Sequence, residues 1–209
     1  MWYPIKTPKI VKMLFPKLLC SFPETEQPAI YLSFDDGPIP EITPWVLEQL
    51  AQYNAKATFF CIGNNVAKNP DIYHQILEAG HSVGNHTFNH LNGWKTDTKT
   101  YVENTAACAE LVKSRLFRPP YGRLRRKQRQ LLQSDYQIVL WDVIAGDFDL
   151  KLTPEKCLNN ILCFSKNGSI IVLHDSKKAW PRLEYVLPRL LKYYAEKGFE
   201  FKGIGTSKE

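Results

Sequence analysis

Ile30-Tyr31-Leu32-Ser33-Phe34-Asp35-Asp36-Gly37-Pro38 is the stretch from which the rest of this chain is read. Its first five residues suit a strand, and they run directly into two adjacent carboxylates. Gly37 and Pro38 then force a turn. Neighbouring side chains at a strand end point in different directions. One carboxylate can therefore bind a metal while the other stays free as a base. Asp, Gly and Pro are also ordinary turn residues, so this stretch alone fits a solvated turn equally well.

Working outward, strands and helices alternate. The strands fall at Ile30 to Phe34, Ala57 to Cys61, Ser82 to Gly84, Leu116 to Arg118, Gln137 to Trp141, Ser169 to Leu173 and Phe199 to Lys202. Thr43-Pro44 and Thr153-Pro154 read as helix starts, Thr capping and Pro in the first turn. Asn69-Pro70 opens another helix, ended by Gly80. Tyr101 to Leu111, Leu124 to Ser134 and Leu183 to Glu196 complete the set, with Tyr101, Val102, Cys108 and Leu111 inward in the first of these. Seven strands with intervening helices predict an α/β fold of parallel strands. The pattern admits an open doubly wound sheet or a closed barrel. Asp35, Asp36, His86, His90, Asp142, Asp147 and His174 each follow a strand and Arg118 ends one, and in a barrel such C-terminal ends form the functional face.

The 209 residues suffice for one sizeable core. With 44% hydrophobic and 23% charged residues, the composition is that of a soluble globular protein rather than a disordered one. The net charge of +6 suits anionic surfaces or acidic polymers, and solubility accounts for it equally well. Cys20, Cys61, Cys108, Cys157 and Cys163 form no CxxC pair and read as buried free thiols, favouring a reducing compartment. No apolar run is long enough to span a bilayer. In residues 1–23 lysines are scattered among apolar residues, unlike a secretory signal. Residues 1–29 are thus expected to be an extension, packed on the domain of residues 30–209 or touching a membrane surface through residues 1–23. The expected location is cytoplasmic, with or without membrane association. The oligomeric state is not legible.

Asn85-His86-Thr87-Phe88-Asn89-His90 places two histidines four apart, and on one helical turn both rings can share an ion. Two imidazoles and one carboxylate suit catalytic Zn²⁺, and Asp36 is the natural third ligand. His81 reads as structural and His74 as a surface residue. Phe117-Arg118-Pro119-Pro120-Tyr121-Gly122 is a rigid turn that can present the Tyr121 N–H to an oxyanion. Arg118 can hold a carboxylate ionised. His174 can act as a general acid if a carboxylate such as Asp147 raises its pKa. Arg123, Arg125, Arg126, Lys127 and Arg129 read as a solvated helix face, without nucleic acid as a partner.

Together Ser33-Phe34-Asp35-Asp36-Gly37-Pro38, His86-Thr87-Phe88-Asn89-His90, Arg118-Pro119-Pro120-Tyr121-Gly122 and Leu173-His174-Asp175 resemble, in order and spacing, the polysaccharide deacetylases (carbohydrate esterase family 4, the NodB homology domain). The resemblance spans about Ile30 to Ile204. It implies a distorted (β/α) barrel of seven strands. It also implies a divalent metal, usually zinc, on Asp36, His86 and His90, with Asp35 as base, Arg118 orienting it and His174 as acid. The family's Asp-Trp pair is Asp147-Phe148 here, which leaves an apolar wall without an N–H donor. Asp147 is the expected support for the acid, with Asp142 as rival. The implied activity is metal-dependent N-deacetylation of an N-acetylated saccharide. The alternatives are a hydrolase of the same fold acting on acetate esters or cyclic amides, and a non-catalytic saccharide binder.

Overall fold

The computed structural model describes residues 3–205. Strand β1, Ala29–Asp35, is buried almost throughout, because a central parallel strand is covered on both faces. It lies between β2, Thr58–Cys61, and β7, Ile170–His174, in a register that sets Asp35 beside Phe60 and His174. From β2 the sheet continues through β3, Ser82–Asn85, and β4, Leu116–Phe117, to β5, Gln137–Ile138. Beyond β7 it ends at β6, Val143–Ile144, while β8, Glu200–Lys202, pairs with the start of β1. All these pairings are parallel, and the curled sheet is a distorted (β/α) barrel.

Of the expected strand from Gln137 to Trp141 only β5 forms, and β6 begins past its end, at Val143, on the opposite edge of the sheet. Residues 139–142 cross between those edges. Leu19 sits in the seam: its N–H donates to Ile138 O and its carbonyl accepts from Leu140 N. An apolar pattern cannot reveal that the residues on either side of this crossing pair with different partners.

The helices are α1 (Lys9–Leu14), α2 (Ile42–Ala51), α3 (Gly63–Lys68), α4 (Pro70–Glu78), α5 (Thr98–Ala109), α6 (Arg126–Leu132), α7 (Pro154–Phe164) and α8 (Trp180–Glu196). Thr153 caps α7 by accepting from Lys156 N, as its sequence predicts. Thr43 does not cap α2; it lies inside the helix and its hydroxyl serves Asp175. Leu111 falls beyond α5 and is exposed rather than inward. The main core packs Phe34, Phe59, Val46, Leu50, Ile76 and Leu187 between sheet and helices, and Phe60, Leu116, Val139 and Ile170 fill a second cluster. Cys20, Cys61, Cys108 and Cys157 are buried free thiols, but Cys163 is exposed. Among the described residues no helix is long and apolar enough to cross a membrane.

Candidate metal centre and active site

The parallel register brings the ends of β1, β3, β4, β6 and β7 to one side of the sheet. Asp35 ends β1, and its Oδ1 accepts from Arg118 Nη1 at 2.7 Å. The same Nη1 donates to Ser33 Oγ at 2.8 Å, and Nη2 donates to Leu140 O at 2.8 Å. Arg118 is fully buried, with its guanidinium 4.0 Å from the Phe60 ring centroid. Burial alone would raise the Asp35 pKa. Arg118, with His86 and His174, outweighs it and holds the carboxyl below the usual range.

Asp36 takes a left-handed backbone conformation, φ 85°, and its carboxylate lies against the two histidines while that of Asp35 meets Arg118. Its Oδ1 lies 3.2 Å from His90 Nε2 and 3.8 Å from His86 Nε2. That buried oxygen has no hydrogen-bond partner among the described residues. The ligand atoms of Asp36, His86 and His90 all lie within 4.8 Å of one another. His86 Nδ1 sits 2.7 Å from Arg118 O. A carbonyl only accepts, so Nδ1 carries the proton and Nε2 presents its lone pair. Burial pushes the His86 pKa down to about 4 and lowers that of His90, keeping both rings in the neutral form that can bind a metal. A partnerless carboxylate oxygen facing two neutral ring nitrogens fits a divalent ion.

The two histidines do not share a helical turn. Residues 86–90 form a loop, with Thr87 at φ 60° and His90 at φ 55°. Asn85 Oδ1 accepts from Thr87 N, and Asn104 Oδ1 on α5 accepts from both Phe88 N and Asn89 N. Spacing alone suggested a helix; these side-chain acceptors hold the loop instead.

On the opposite wall, Asp147 grips His174 twice. Its Oδ1 lies 2.8 Å from His174 Nδ1, and its Oδ2 accepts from His174 N at 2.7 Å. Burial opposes a charged imidazole, but Asp147, with Asp36 and Asp35, raises the His174 pKa to about 9. Asp142 is not in the site. It accepts from Lys6, Lys12 and Ser169, each at 2.6 Å. Phe148 packs 5.0 Å from the His174 ring. Tyr121 lies 4.6 Å from the His90 ring and has φ 60°. His81 is buried, its Nδ1 accepting from Ala57 N, and His74 is exposed.

Asp35, Asp36, His86, His90, Tyr121 and His174 line a cavity of about 300 Å³, also walled by Tyr3, Trp141, Ser176 and Lys178. Tyr3 comes from the N-terminal segment, where no sequence pattern pointed to it. Asp175, next to His174, shows no role in the sequence. Its Oδ1 accepts from Gly37 N at 3.0 Å and its Oδ2 from Thr43 Oγ1 at 2.5 Å, so it clamps the turn that carries Asp36.

The model of the family described as polysaccharide deacetylase matches residues 23–138, more than half of the chain. The chain belongs to the polysaccharide deacetylase family. Among its relatives, a peptidoglycan-N-acetylglucosamine deacetylase of Bacillus cereus is 35% identical over 70% of this chain, which spans only 56% of that protein's length. A chitooligosaccharide deacetylase of Azorhizobium caulinodans is 36% identical, over 71% of this chain and 74% of its own. The crystal structure of the Bc1960 peptidoglycan N-acetylglucosamine deacetylase superposes with a TM-score of 0.79 at 30% identity, covering 97% of this chain and 95% of that one.

Proposed function

We propose that this polysaccharide deacetylase is a metal-dependent hydrolase that removes acetyl groups from N-acetylglucosamine-containing glycans, such as chitooligosaccharide or peptidoglycan, and releases acetate. One juxtaposition carries the reading: the partnerless Asp36 Oδ1 faces His86 and His90, beside an arginine-paired aspartate that stays outside the trio. Asp36, His86 and His90 would hold the ion, and their donor set suits Zn²⁺. When bound, such an ion polarises the amide carbonyl and makes water more acidic.

The chain's own groups supply the rest. Asp35, kept ionised by Arg118, takes the proton of the attacking water. The Tyr121 N–H donates to the oxygen that becomes an oxyanion, a contact worth ~3 kcal/mol. Asp147 fixes His174 with Nδ1–H engaged, so the Nε2 proton can pass to the leaving amine. Water and amide give acetate and a free amino sugar.

The test is acetate release from chitooligosaccharide, peptidoglycan fragments and acetylated xylan by zinc-loaded protein. Turnover of the N-acetylated glycans is expected. Release from acetylated xylan alone would move the assignment to esters. No release from any of them, with the metal bound stoichiometrically, would leave a saccharide binder.

A further inference from the structure

Helix α1 is built inside out. Lys12 points inward, its ammonium 2.6 Å from Asp142 Oδ1 and 2.9 Å from Ser21 Oγ. Ile10, Met13 and Leu14 share one face by their i, i+3, i+4 spacing, and they are 57%, 71% and 63% exposed. Lys9 and Lys17 are exposed near them in the chain. Val11 and Phe15 line a cavity of about 440 Å³ together with Arg126 and Arg129 of α6. The Arg129 guanidinium sits 4.5 Å over the Phe15 ring, and its buried Nε has no hydrogen-bond partner among the described residues. Pro119 and Gly122 wall both this cavity and the catalytic one.

An apolar stripe held toward water forgoes the stabilisation that burial would return. A stripe set among cations matches one surface in both respects: hydrocarbon takes the apolar side chains and anionic headgroups take the charges. A second copy would bring like charges together in a protein of net charge +6. We propose that α1 and the adjoining start of α6 seat on an anionic lipid bilayer. Ile10, Met13 and Leu14 enter the interface, and Lys9, Lys17 and Arg126 meet headgroup phosphates. The shared wall at Pro119 and Gly122 then sets the catalytic cavity beside the headgroup layer.

Co-sedimentation of the full chain with phosphatidylcholine vesicles, with and without phosphatidylglycerol, tests this directly. Binding is expected to the anionic vesicles, and it should weaken as salt rises. The double variant Met13→Ser/Leu14→Ser should bind about tenfold more weakly or worse. Arg126→Gln should lose part of the salt dependence. Both variants should keep the circular dichroism of the parent and its acetate release from soluble chitooligosaccharide, since none of the three residues lines the catalytic cavity. Failure of the parent to bind phosphatidylglycerol vesicles overturns the proposal. So does binding that the double serine variant leaves unchanged. A dimer in sedimentation velocity that the same variant abolishes would assign the stripe to a second copy instead. Absence of acetate release would count against the proposed activity and leave the vesicle result standing.

Discussion

Asp35 and Asp36 are adjacent in sequence and separate in chemistry, because they meet different partners. The left-handed Asp36 faces the histidines, while Asp35 stays in the strand and meets Arg118. Asp35→Asn should therefore keep metal content while kcat falls by about 10²–10⁴-fold, the usual range for a lost general base; acetate release and elemental analysis report the two. The proposed acid has its own signature. His174, lifted to about 9, is protonated through neutral pH and loses its proton as pH rises through that value. Asp35, held below the usual carboxylate range, stays ionised on the acid side. kcat/KM should accordingly fall on the alkaline side near pH 9. In Asp147→Asn that limb should move down toward 6.5, the ordinary histidine value. A limb unmoved by the substitution would take Asp147 out of this role. The ionised pairing has a stability counterpart: it is fully present below about 6.5 and lost as pH rises through about 9.

Two loops carry the proposed ligands, and each is held by a residue from a distant element. The turn after β1 needs Gly37 because a Cβ there would lie 2.1 Å from Asp175 Oδ2. Asp175 can reach in only through that gap, and it also donates its N–H to Asp35 O. The histidine loop hangs on Asn104, whose Oδ1 accepts from two successive N–H groups. Asn104→Ala should leave the helix content intact and weaken zinc binding by about 10–100-fold, the range for losing support behind a ligand. Competition with a chromogenic chelator measures it. The Gly-Pro turn was legible from its own residues. Asn104 was not, because a polar residue on a helix advertises no partner, and its two bonds form only when α5 packs beside β3.

The segment before β1 closes the barrel. Leu19 fills the seam, while Lys6 and Lys12 converge on the buried Asp142. Asp142→Ala would take away the charged partner of both ammonium groups, leaving Lys6 with Phe164 O and Lys12 with Ser21 Oγ, and would free Ser169 Oγ from its acceptor. With both lysines about a third exposed, the loss should be about 2 kcal/mol in urea unfolding, below that of a fully buried pair. The alkaline limb of the surviving activity should not move, in contrast to Asp147→Asn. Asp142 and Asp147 looked interchangeable in sequence, since both follow the fifth predicted strand. Only the crossing of residues 139–142 from one sheet edge to the other separates them, sending the first to the seam and the second to His174.

By itself the sequence determined the parallel α/β class, the order of the strands that carry polar tips and most residues around the cavity. Strand and turn propensities and motif spacing are local, so they can be read one segment at a time. The tertiary structure decided which carboxylate serves which partner, that His86 and His90 meet through a loop, and that Tyr3 and Asp175 belong to the site. Each of those depends on distances between residues far apart in the chain, and such distances exist only once the sheet has curled and the helices have packed against it.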